Sequence, residues 1–359
     1  MTRIEKIRNK LACKGDALLI TSSSNRFYAS GFRSSAGYML VSREKAVLYL
    51  DFRYFEMAKI AKENGILQPE VEVVLADKKR REYIAEFSEE YNVKQLLFEN
   101  RALTVAEYET LKNETNGICT LEYADGIIEE CRISKDETEI EKIKIAQSIT
   151  DKAFSHILGF ITPEVAEKDV ALELEYFMRK NGAQGIAFET ICVSGTKSSL
   201  PHGKPENIKL GKGFLTMDFG AKYDGYCSDM TRTVCLGNPT AEMKKVYNTV
   251  LEAQKKAFNE IFAGTIGKRV DAAARDYIYA EGYRGCFGHS TGHSLGIDVH
   301  ESPNFSSNSD VVIPENAVLS VEPGIYIEGE FGVRIEDIVK ISHLGYENLT
   351  ESTKELIIL

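Results

Sequence analysis

The chain has 359 residues, 43% of them hydrophobic, and carries a formal net charge of −10 with a pI of about 5.3. This length suits about two domains with sizeable cores, and the acidic balance argues against nucleic acid as a partner, because phosphate contacts need clustered Lys and Arg. The seven cysteines are scattered, no apolar run approaches a membrane span, and the charged N-terminus lacks a signal peptide's apolar core. We therefore expect a soluble cytoplasmic protein with no membrane partner and no disulfide framework.

Residues 1–125 alternate between helical and strand patterns. The serine run at 22–24 is typical of a loop, and the basic run at 78–81 of a solvated helix start. Strands interleaved with helices of this length predict a small α/β domain with a mixed sheet. The predicted helices are 4–11, 54–64, 82–91 and 105–113, and the predicted strands are 17–20, 38–41, 46–50, 71–75, 95–98 and 119–122.

A join at 126–134, interpreted as a linker, leads into a second domain at 135–359. Two amphipathic helices are predicted first, at 135–159 and 165–180. From residue 182 the pattern changes to short strands, hairpins and glycines, interrupted by predicted helices at 241–262 and 270–280. Antiparallel hairpins mixed with paired helices indicate an α+β domain rather than a doubly wound sheet.

The segment 214–234 predicts a β-hairpin with an unusual feature. Its two arms flank the turn signal Tyr223-Asp224-Gly225 and carry Asp218 and Asp229. A two-residue turn sets these acids diagonally across from each other and a four-residue turn sets them directly opposite. Both registers put the carboxylates on one face, which destabilises a sheet unless a proton or a cation lies between them.

A second hairpin, at 320–337, shows the same feature. A turn centred on Gly329 sets Glu322 opposite Glu336. A single facing pair of acids could consist of solvated loop residues. Two such pairs in one chain, with a histidine-rich segment between them, predict a metal site.

The histidine-rich segment is 288–301, with the sequence GHSTGHSLGIDVHE. We consider His293 and His300 the stronger candidates for a functional role and His289 a structural histidine. His202, fixed by a preceding proline and followed by a glycine in a polar loop, suits substrate contact, although an ordinary loop histidine is the alternative. Four carboxylates and one imidazole suit two hard or borderline divalent ions, and the natural reaction of such a centre is hydrolysis.

The set Asp218, Asp229, His293, Glu322 and Glu336 resembles the five-ligand site of the pita-bread metallopeptidases, the superfamily of methionine aminopeptidase, aminopeptidase P and prolidase. The segments DFGAKYDGYCSDMTRT, HSLGIDVHE and VEPGIYIEGEFGVRIED carry the resemblance. An N-terminal α/β domain before a pita-bread (creatinase/aminopeptidase) domain is the arrangement of aminopeptidase P and prolidase. The resemblance therefore extends over the whole chain.

The resemblance implies a role for each residue. Asp229 and Glu336 would bridge two divalent ions, for which Mn²⁺ is favoured and Co²⁺, Fe²⁺ and Zn²⁺ are alternatives. Asp218 would complete the ligand set of one ion, and His293 and Glu322 would complete that of the other. Glu322 would also shuttle the proton of a bridging hydroxide, and His202 and His300 would hold the scissile carbonyl and the tetrahedral intermediate. Thr231 and Arg334 would orient Asp229 and Glu336.

The resemblance also implies cleavage of the bond between any residue and a following proline, by a homodimer. Some dipeptidases of the family carry an arginine four residues after the second histidine, where it binds the free carboxylate of a dipeptide. Asn304 stands there in this chain. This difference favours an aminopeptidase P-like enzyme acting on longer peptides. A prolidase restricted to dipeptides is the alternative, because another arginine, from the N-terminal domain or a partner subunit, could bind the carboxylate instead.

Two other interpretations are weaker. Creatinase-like relatives work without metal, and the presence of all five ligands argues against that chemistry here. A non-catalytic pita-bread interaction protein would typically have lost ligands and gained basic or extended segments, and this chain has done neither.

Overall fold

The computed structural model describes residues 1–359, which divide into two compact units, Met1–Arg132 and Ile133–Leu359. The first unit is built on a six-stranded mixed sheet with the strand order β4-β3-β2-β1-β5-β6. Its strands are β1 Asp16–Ile20, β2 Tyr38–Ser42, β3 Ala46–Leu50, β4 Val71–Leu75, β5 Gln95–Phe98 and β6 Thr120–Tyr123. Its helices are α1 Arg3–Lys10, α2 Ser23–Ser30, α3 Phe52–Glu63, α4 Arg80–Glu90, α5 Val105–Thr115 and α6 Ile127–Ile133.

The mixed α/β sheet predicted for this unit is confirmed, and each predicted strand is present within one or two residues. The loop predicted at the serine run is wrong, because helix α2 begins there. Ser22 caps the helix by accepting a hydrogen bond from the Asn25 backbone N–H, so the serines start the helix. The segment 126–134, expected to be a linker, forms helix α6.

The second unit contains four long helices and four small antiparallel sheets. The sheet orders are β11-β10-β7, β12-β9-β8, β14-β13-β15-β18-β19 and β16-β17. The helices are α7 Glu137–Ile157, α8 Glu167–Lys180, α9 Ala241–Phe258 and α10 Gly267–Ala280, and a 3₁₀ helix spans Gly195–Ser199. The strands are β7 Gly185–Ile186, β8 Ile191–Ser194, β9 Gly213–Phe219, β10 Ala221–Tyr223, β11 Tyr226–Cys227, β12 Met230–Leu236, β13 Gly292–Ser294, β14 Glu301–Phe305, β15 Val318–Val321, β16 Gly324–Ile327, β17 Phe331–Arg334, β18 Asp337–Ser342 and β19 Gly345–Asn348.

Two hydrophobic cores hold this unit together. Helices α7 and α8 cover strands β9 and β12, with Phe154, Leu174 and Met217 among the buried side chains. Helices α9 and α10 cover β15, β17 and β18, with Val250 and Leu319 buried. These cores fix the two acidic hairpins, because the apolar side chains of each hairpin face the helices. No helix combines the length and the apolar character that crossing a membrane requires.

Candidate metal centre

The first acidic hairpin is formed by strands β9 to β12 and reverses in a two-residue turn at residues 224–225, both with positive φ. In this register Asp218 pairs with Thr231. Asp229 therefore lies diagonally across from Asp218, as the two-residue alternative predicts. Since side chains alternate along a strand, both carboxylates point to the same face.

The hairpin bends at Gly220, between β9 and β10. A Cβ atom on Gly220 would stand 2.0 Å from the Ser228 carbonyl oxygen. Only glycine lets the two arms approach this closely, at a point two residues from Asp218 on one arm and one residue from Asp229 on the other.

The second acidic hairpin has the register predicted from its sequence. Strand β15 pairs with β18 on one side of the acids, and β16 pairs with β17 on the other. In both pairs of strands, the two partner residues lie equally far from Gly329 in sequence. Glu322 and Glu336 lie opposite each other in the short gap between the two ladders. Gly329 has a φ of 73°, which the tight reversal requires.

His293 lies in β13 and is held by Ser320. Its backbone N–H donates to Ser320 Oγ at 3.0 Å, and this hydroxyl donates to Glu322 Oε1 at 3.1 Å. The imidazole Nδ1 lies 3.2 Å from the Ser294 carbonyl oxygen. The other ring nitrogen, Nε2, lies 3.4 Å from Glu322 Oε1 and 3.6 Å from Asp229 Oδ2. A proton on Nδ1 leaves the lone pair of Nε2 facing the carboxylates, as a metal ligand requires.

The five residues converge on one cavity and fit divalent cations. Ligand atoms of Asp229, His293 and Glu336 lie within 4.8 Å of one another, and Asp218 and Glu322 line the same cavity. Oδ1 of Asp218 and Oε1 of Glu336 are buried without a hydrogen-bond donor. Buried polar atoms are almost always hydrogen-bonded, and a cation is the partner that paired carboxylate oxygens accept.

The electrostatics of the cluster agree with this fit. Burial raises the pKa of Glu322 to about 8. Burial and the neighbouring carboxylates raise the pKa of Asp229 and of Glu336 well above the usual range. Without a cation, the three carboxyl groups resist ionisation because their negative charges would lie close together. Beside a divalent cation they would ionise, because the positive charge stabilises the carboxylate form.

Arg334 and Thr231 surround the acids with hydrogen bonds. Arg334 Nη2 donates to Asp218 Oδ2 at 2.6 Å and its Nε donates to Thr231 Oγ1 at 3.0 Å. The Thr231 hydroxyl in turn donates to Glu336 Oε2 at 2.8 Å. The resemblance implied that this pair orients Asp229 and Glu336; in the structure Thr231 contacts Glu336, and the carboxylate that Arg334 contacts is Asp218.

His300 and His202 line the same cavity, which has a volume of about 460 Å³. The ring of His300 lies 4.4 Å from that of His293, edge to face. His202 follows the 3₁₀ helix in a loop, and the carbonyl of the neighbouring Pro201 accepts a hydrogen bond from Arg334 Nη1 at 3.3 Å. The structure thus brings both candidate substrate-binding histidines to the cluster of acids.

Sequence reasoning missed part of this cavity. His289, interpreted as structural, lines the cavity, and its Nε2 lies 2.9 Å from the hydroxyl of Tyr326. That hydroxyl also accepts a hydrogen bond from Arg334 Nη1 at 2.8 Å. Burial lowers the pKa of His289 to about 4, so this imidazole stays neutral. Tyr326 lies four residues after Glu322, and this even spacing on one hairpin arm could have identified it. Three apolar lining residues had no recognisable signal: Phe188, Ile191 and Val299.

Two family models match the chain. The one described as metallopeptidase family M24 matches residues 141–343, and the one described as the creatinase/prolidase N-terminal domain matches residues 3–134. The first match contains every residue discussed in this section.

Relatives of known name match over nearly the whole chain. A Pyrococcus horikoshii protein named Xaa-Pro dipeptidase is 40% identical over 344 residues, which cover 95% of this chain and 94% of the relative. Among solved structures, a Xaa-Pro dipeptidase from Bacillus anthracis has a TM-score of 0.93 and 41% identity, covering 99% of both chains. An X-Pro aminopeptidase from Thermotoga maritima has a TM-score of 0.90 and 36% identity, covering 99% of this chain and 100% of the other.

Proposed function

This chain belongs to metallopeptidase family M24, and we propose that it is a Xaa-Pro aminopeptidase, which removes the N-terminal residue from peptides whose second residue is proline. The family assignment makes it a divalent-metal-dependent hydrolase, and its second unit has the pita-bread fold predicted from the sequence. The relatives named above as Xaa-Pro peptidases support the proline specificity.

We assign the metal ligands as Asp218, Asp229, His293, Glu322 and Glu336, which would together hold two divalent ions. The oxygen-rich set favours Mn²⁺ over a structural zinc, which prefers thiolates. When bound, such ions supply Lewis-acid chemistry: they polarise a carbonyl and make water acidic enough to attack it near neutral pH.

Side chains of the cavity can transfer the proton, bind the scissile carbonyl and contact the proline ring. Glu322, which lines the cavity and would be a carboxylate beside a divalent cation, can accept a proton from the attacking water and release it to the leaving proline nitrogen. His202 and His300 can donate hydrogen bonds to the scissile carbonyl as its oxygen gains negative charge. Phe188, Ile191 and Val299 provide the apolar surface that a proline ring would contact, since Pro has no amide N–H to be hydrogen-bonded.

One observation supports an aminopeptidase over a dipeptidase. Arg334 is the only Lys or Arg that lines the cavity, and its guanidinium already donates to Asp218, Thr231 and Tyr326. At position 304, on the strand beside His293, the chain has Asn. A dipeptide would bring its C-terminal carboxylate into this acidic cavity without a free cation to pair with. A longer peptide has an uncharged amide at that point.

The second candidate is a Xaa-Pro dipeptidase. The names of the Pyrococcus horikoshii and Bacillus anthracis relatives favour it. In both candidates the metal centre and the bond cleaved are the same, and the difference lies in how the carboxyl side of proline is received.

The deciding experiment compares three substrates on the Mn²⁺-loaded enzyme: Ala-Pro, its C-terminal amide, and Ala-Pro-Ala. The amide differs from the dipeptide only in the charge of its terminal group. We expect the amide and the tripeptide to have higher kcat/KM values than the dipeptide, and Asp229→Asn to abolish all three activities. Asn304→Arg should raise the relative rate on the dipeptide by supplying the missing cation.

Faster cleavage of the dipeptide than of its amide would identify a dipeptidase. If none of the three substrates is cleaved by protein that is shown to bind the metal, the proline specificity is contradicted, while the assignment of the metal centre is not. The homodimer that the family resemblance implies stays a prediction, which light scattering on the purified protein can test.

A further inference from the structure

The loop that carries His202 is closed at its base by a buried carboxylate outside the cavity. Glu167, the first residue of α8, has no exposed surface. Its Oε1 accepts hydrogen bonds from the backbone N–H of Ser194 at 2.7 Å and from the Ser194 hydroxyl at 3.1 Å. Its Oε2 accepts from Lys197 Nζ at 2.7 Å and from the Glu206 backbone N–H at 3.1 Å.

These four bonds join the two ends of the loop. Ser194 and Lys197 precede His202, and Glu206 follows it. The ammonium of Lys197 reaches across the base a second time, donating to the Lys204 carbonyl oxygen at 3.1 Å. Between these ends, Ser198 Oγ accepts a hydrogen bond from the Gly332 N–H at 3.0 Å and the Pro201 carbonyl accepts one from Arg334. The spacing of the ends therefore affects most the short stretch that follows Pro201, which begins with His202.

The chain contains a second junction of the same kind that lacks such a carboxylate. Residue 166 before α8 forms an isolated bridge with residue 209, and residue 266 before α10 forms one with residue 312. At each helix start, the next two backbone N–H groups donate hydrogen bonds to the loop. Residues 167 and 168 donate to the carbonyls of 208 and 206, and residues 267 and 268 donate to those of 311 and 309. The counterpart of Glu167 is Gly267, where a Cβ atom would stand 2.3 Å from the Asn304 carbonyl oxygen. Backbone hydrogen bonds therefore suffice to join helix and loop.

Because the junction forms without a carboxylate elsewhere in the chain, the carboxylate at 167 needs another reason. We propose that Glu167 is a positioning residue for His202: with Lys197 it sets the spacing of the loop ends and so holds the imidazole over the metal centre. This role rests on the proposed function, in which His202 contacts the scissile carbonyl.

The substitution Glu167→Gln tests the role with a minimal change in shape. Gln has one acceptor oxygen and one NH₂ donor, whereas the four partners of Glu167 are all donors. One pair of donors therefore faces an NH₂ group, and the base of the loop opens on that side. A displaced catalytic contact commonly costs about 10- to 100-fold in rate.

Glu164→Gln is the matched control, because it makes the same chemical change at the same helix start. Glu164 pairs with Lys209 on the surface, where both side chains are largely exposed. In the Mn²⁺-loaded enzyme we expect Glu167→Gln to lower kcat/KM for Ala-Pro-Ala by about 10- to 100-fold. We expect the control to leave it unchanged, and neither variant to change the Mn²⁺ affinity measured by calorimetry.

A double-mutant cycle separates positioning from general damage to the fold. In the His202→Ala background, Glu167→Gln should cause almost no further loss, because the residue that it positions is gone. In the His300→Ala background the two losses should multiply. Glu167→Gln should also change the same kinetic parameter, kcat or KM, that His202→Ala changes. Losses that multiply in the His202→Ala background would overturn the proposal.

Hydrogen exchange gives a readout that does not depend on activity. In Glu167→Gln, backbone amides of residues 198–205 should exchange faster while those of residues 289–300 stay unchanged. Unchanged exchange at 198–205 would overturn the proposal even if no Xaa-Pro substrate were cleaved. If the Gln variant does not fold, Lys197→Met, which keeps the backbone bonds of Glu167, is carried through the same cycle with the same expected pattern.

Discussion

At the scale of single residues, the molecule carries more negative charge in one buried place than its own hydrogen bonds can satisfy. Arg334 and Thr231 account for one oxygen each of Asp218 and Glu336, and the second oxygen of each carboxylate has no donor. Burial of acids without enough partners destabilises a fold unless they are protonated or neutralised. The stability of the metal-free protein should therefore depend on pH in an unusual direction.

Glu322 gives this dependence its sign. Its pKa is raised from 4.5 to about 8 in the folded, metal-free protein, so between these pH values the folded state binds a proton that the unfolded state has lost. Buried His289, whose pKa is lowered to about 4, has the opposite effect below the ordinary histidine pKa of 6.5. The free energy of unfolding should consequently fall as pH rises from about 6.5 to 8, and Asp229 and Glu336, whose pKa values are also raised, should add to the slope. Urea unfolding in the presence of a chelator measures it.

The variant Glu322→Gln is the control for this slope, because its amide cannot ionise. We expect a shallower decline for the variant than for the parent chain, and a larger stabilising effect of added Mn²⁺ at pH 8 than at pH 5.5 in the parent. Identical slopes for the two proteins would show that the cluster is not the source.

At the scale of elements, the two hairpins are what turns a linear pattern of acids into a site. Their registers follow from local sequence: a two-residue turn at 224–225 in one and a turn centred on Gly329 in the other. Each hairpin then changes partners midway, so that Asp229, Glu322 and Glu336 lie in gaps between hydrogen-bonded ladders. Backbone N–H groups of Glu322 and Glu336 donate to the Thr291 and Thr231 carbonyl oxygens, at 2.7 and 3.1 Å. The position of Asp229 depends instead on the bend at Gly220, whose carbon approaches the neighbouring Ser228 carbonyl.

Gly220 tests this dependence. In Gly220→Ala the new methyl group would collide with the Ser228 carbonyl, so the bend should open and separate Asp218 from Asp229. We expect a loss of Mn²⁺ affinity of 10-fold or more, a tenfold change corresponding to about 1.4 kcal/mol. Calorimetric titration of the metal-free protein with Mn²⁺ measures this affinity.

Gly237→Ala, at the end of the same hairpin, is the matched control. Gly237 has a φ of 74°, so alanine is strained there, but open space surrounds its position. The control should lose about 1 kcal/mol of stability while keeping its metal affinity. Equal effects of the two substitutions on metal binding would contradict the role assigned to the bend.

Some features of these elements could be predicted from the sequence and others could not. Turn residues and period-two alternation are local, so the facing acids and the mixed sheet of the first unit were predictable. Helix α2 was not, because a serine run suits both a loop and an N-cap. The contact of His289 with Tyr326 and the bonds of Glu167 to the loop of His202 join residues 27 to 39 positions apart. Such contacts are created by packing, and no local pattern encodes them.

At the scale of the whole molecule, the metal centre belongs to one of two compact units. Every proposed ligand and every residue lining the cavity lies within Ile133–Leu359. A ligand that binds only the folded state stabilises the unit that holds it. Metal removal should therefore affect the two units unequally.

Hydrogen exchange with and without a chelator measures this difference. We expect amides of β9, β12, β15 and β18 to lose protection on chelation, because these strands flank the acids, while the amides of the first unit keep theirs. The isolated removal of loosely held surface ions, by dialysis without a chelator, is the control and should change neither unit. Equal loss of protection in both units would show that the chain unfolds as one cooperative body.

Arg334 sets a condition on any attempt to re-engineer the specificity of this scaffold. Its guanidinium touches the first hairpin at Asp218, the second at Tyr326 and the loop of His202 at the Pro201 carbonyl. A loop grafted from another enzyme would therefore have to present a carbonyl group at the same point. Without it, Nη1 of Arg334 would keep only the Tyr326 hydroxyl as an acceptor, and a change intended for the substrate side would remove one of the bonds that hold this residue beside Asp218.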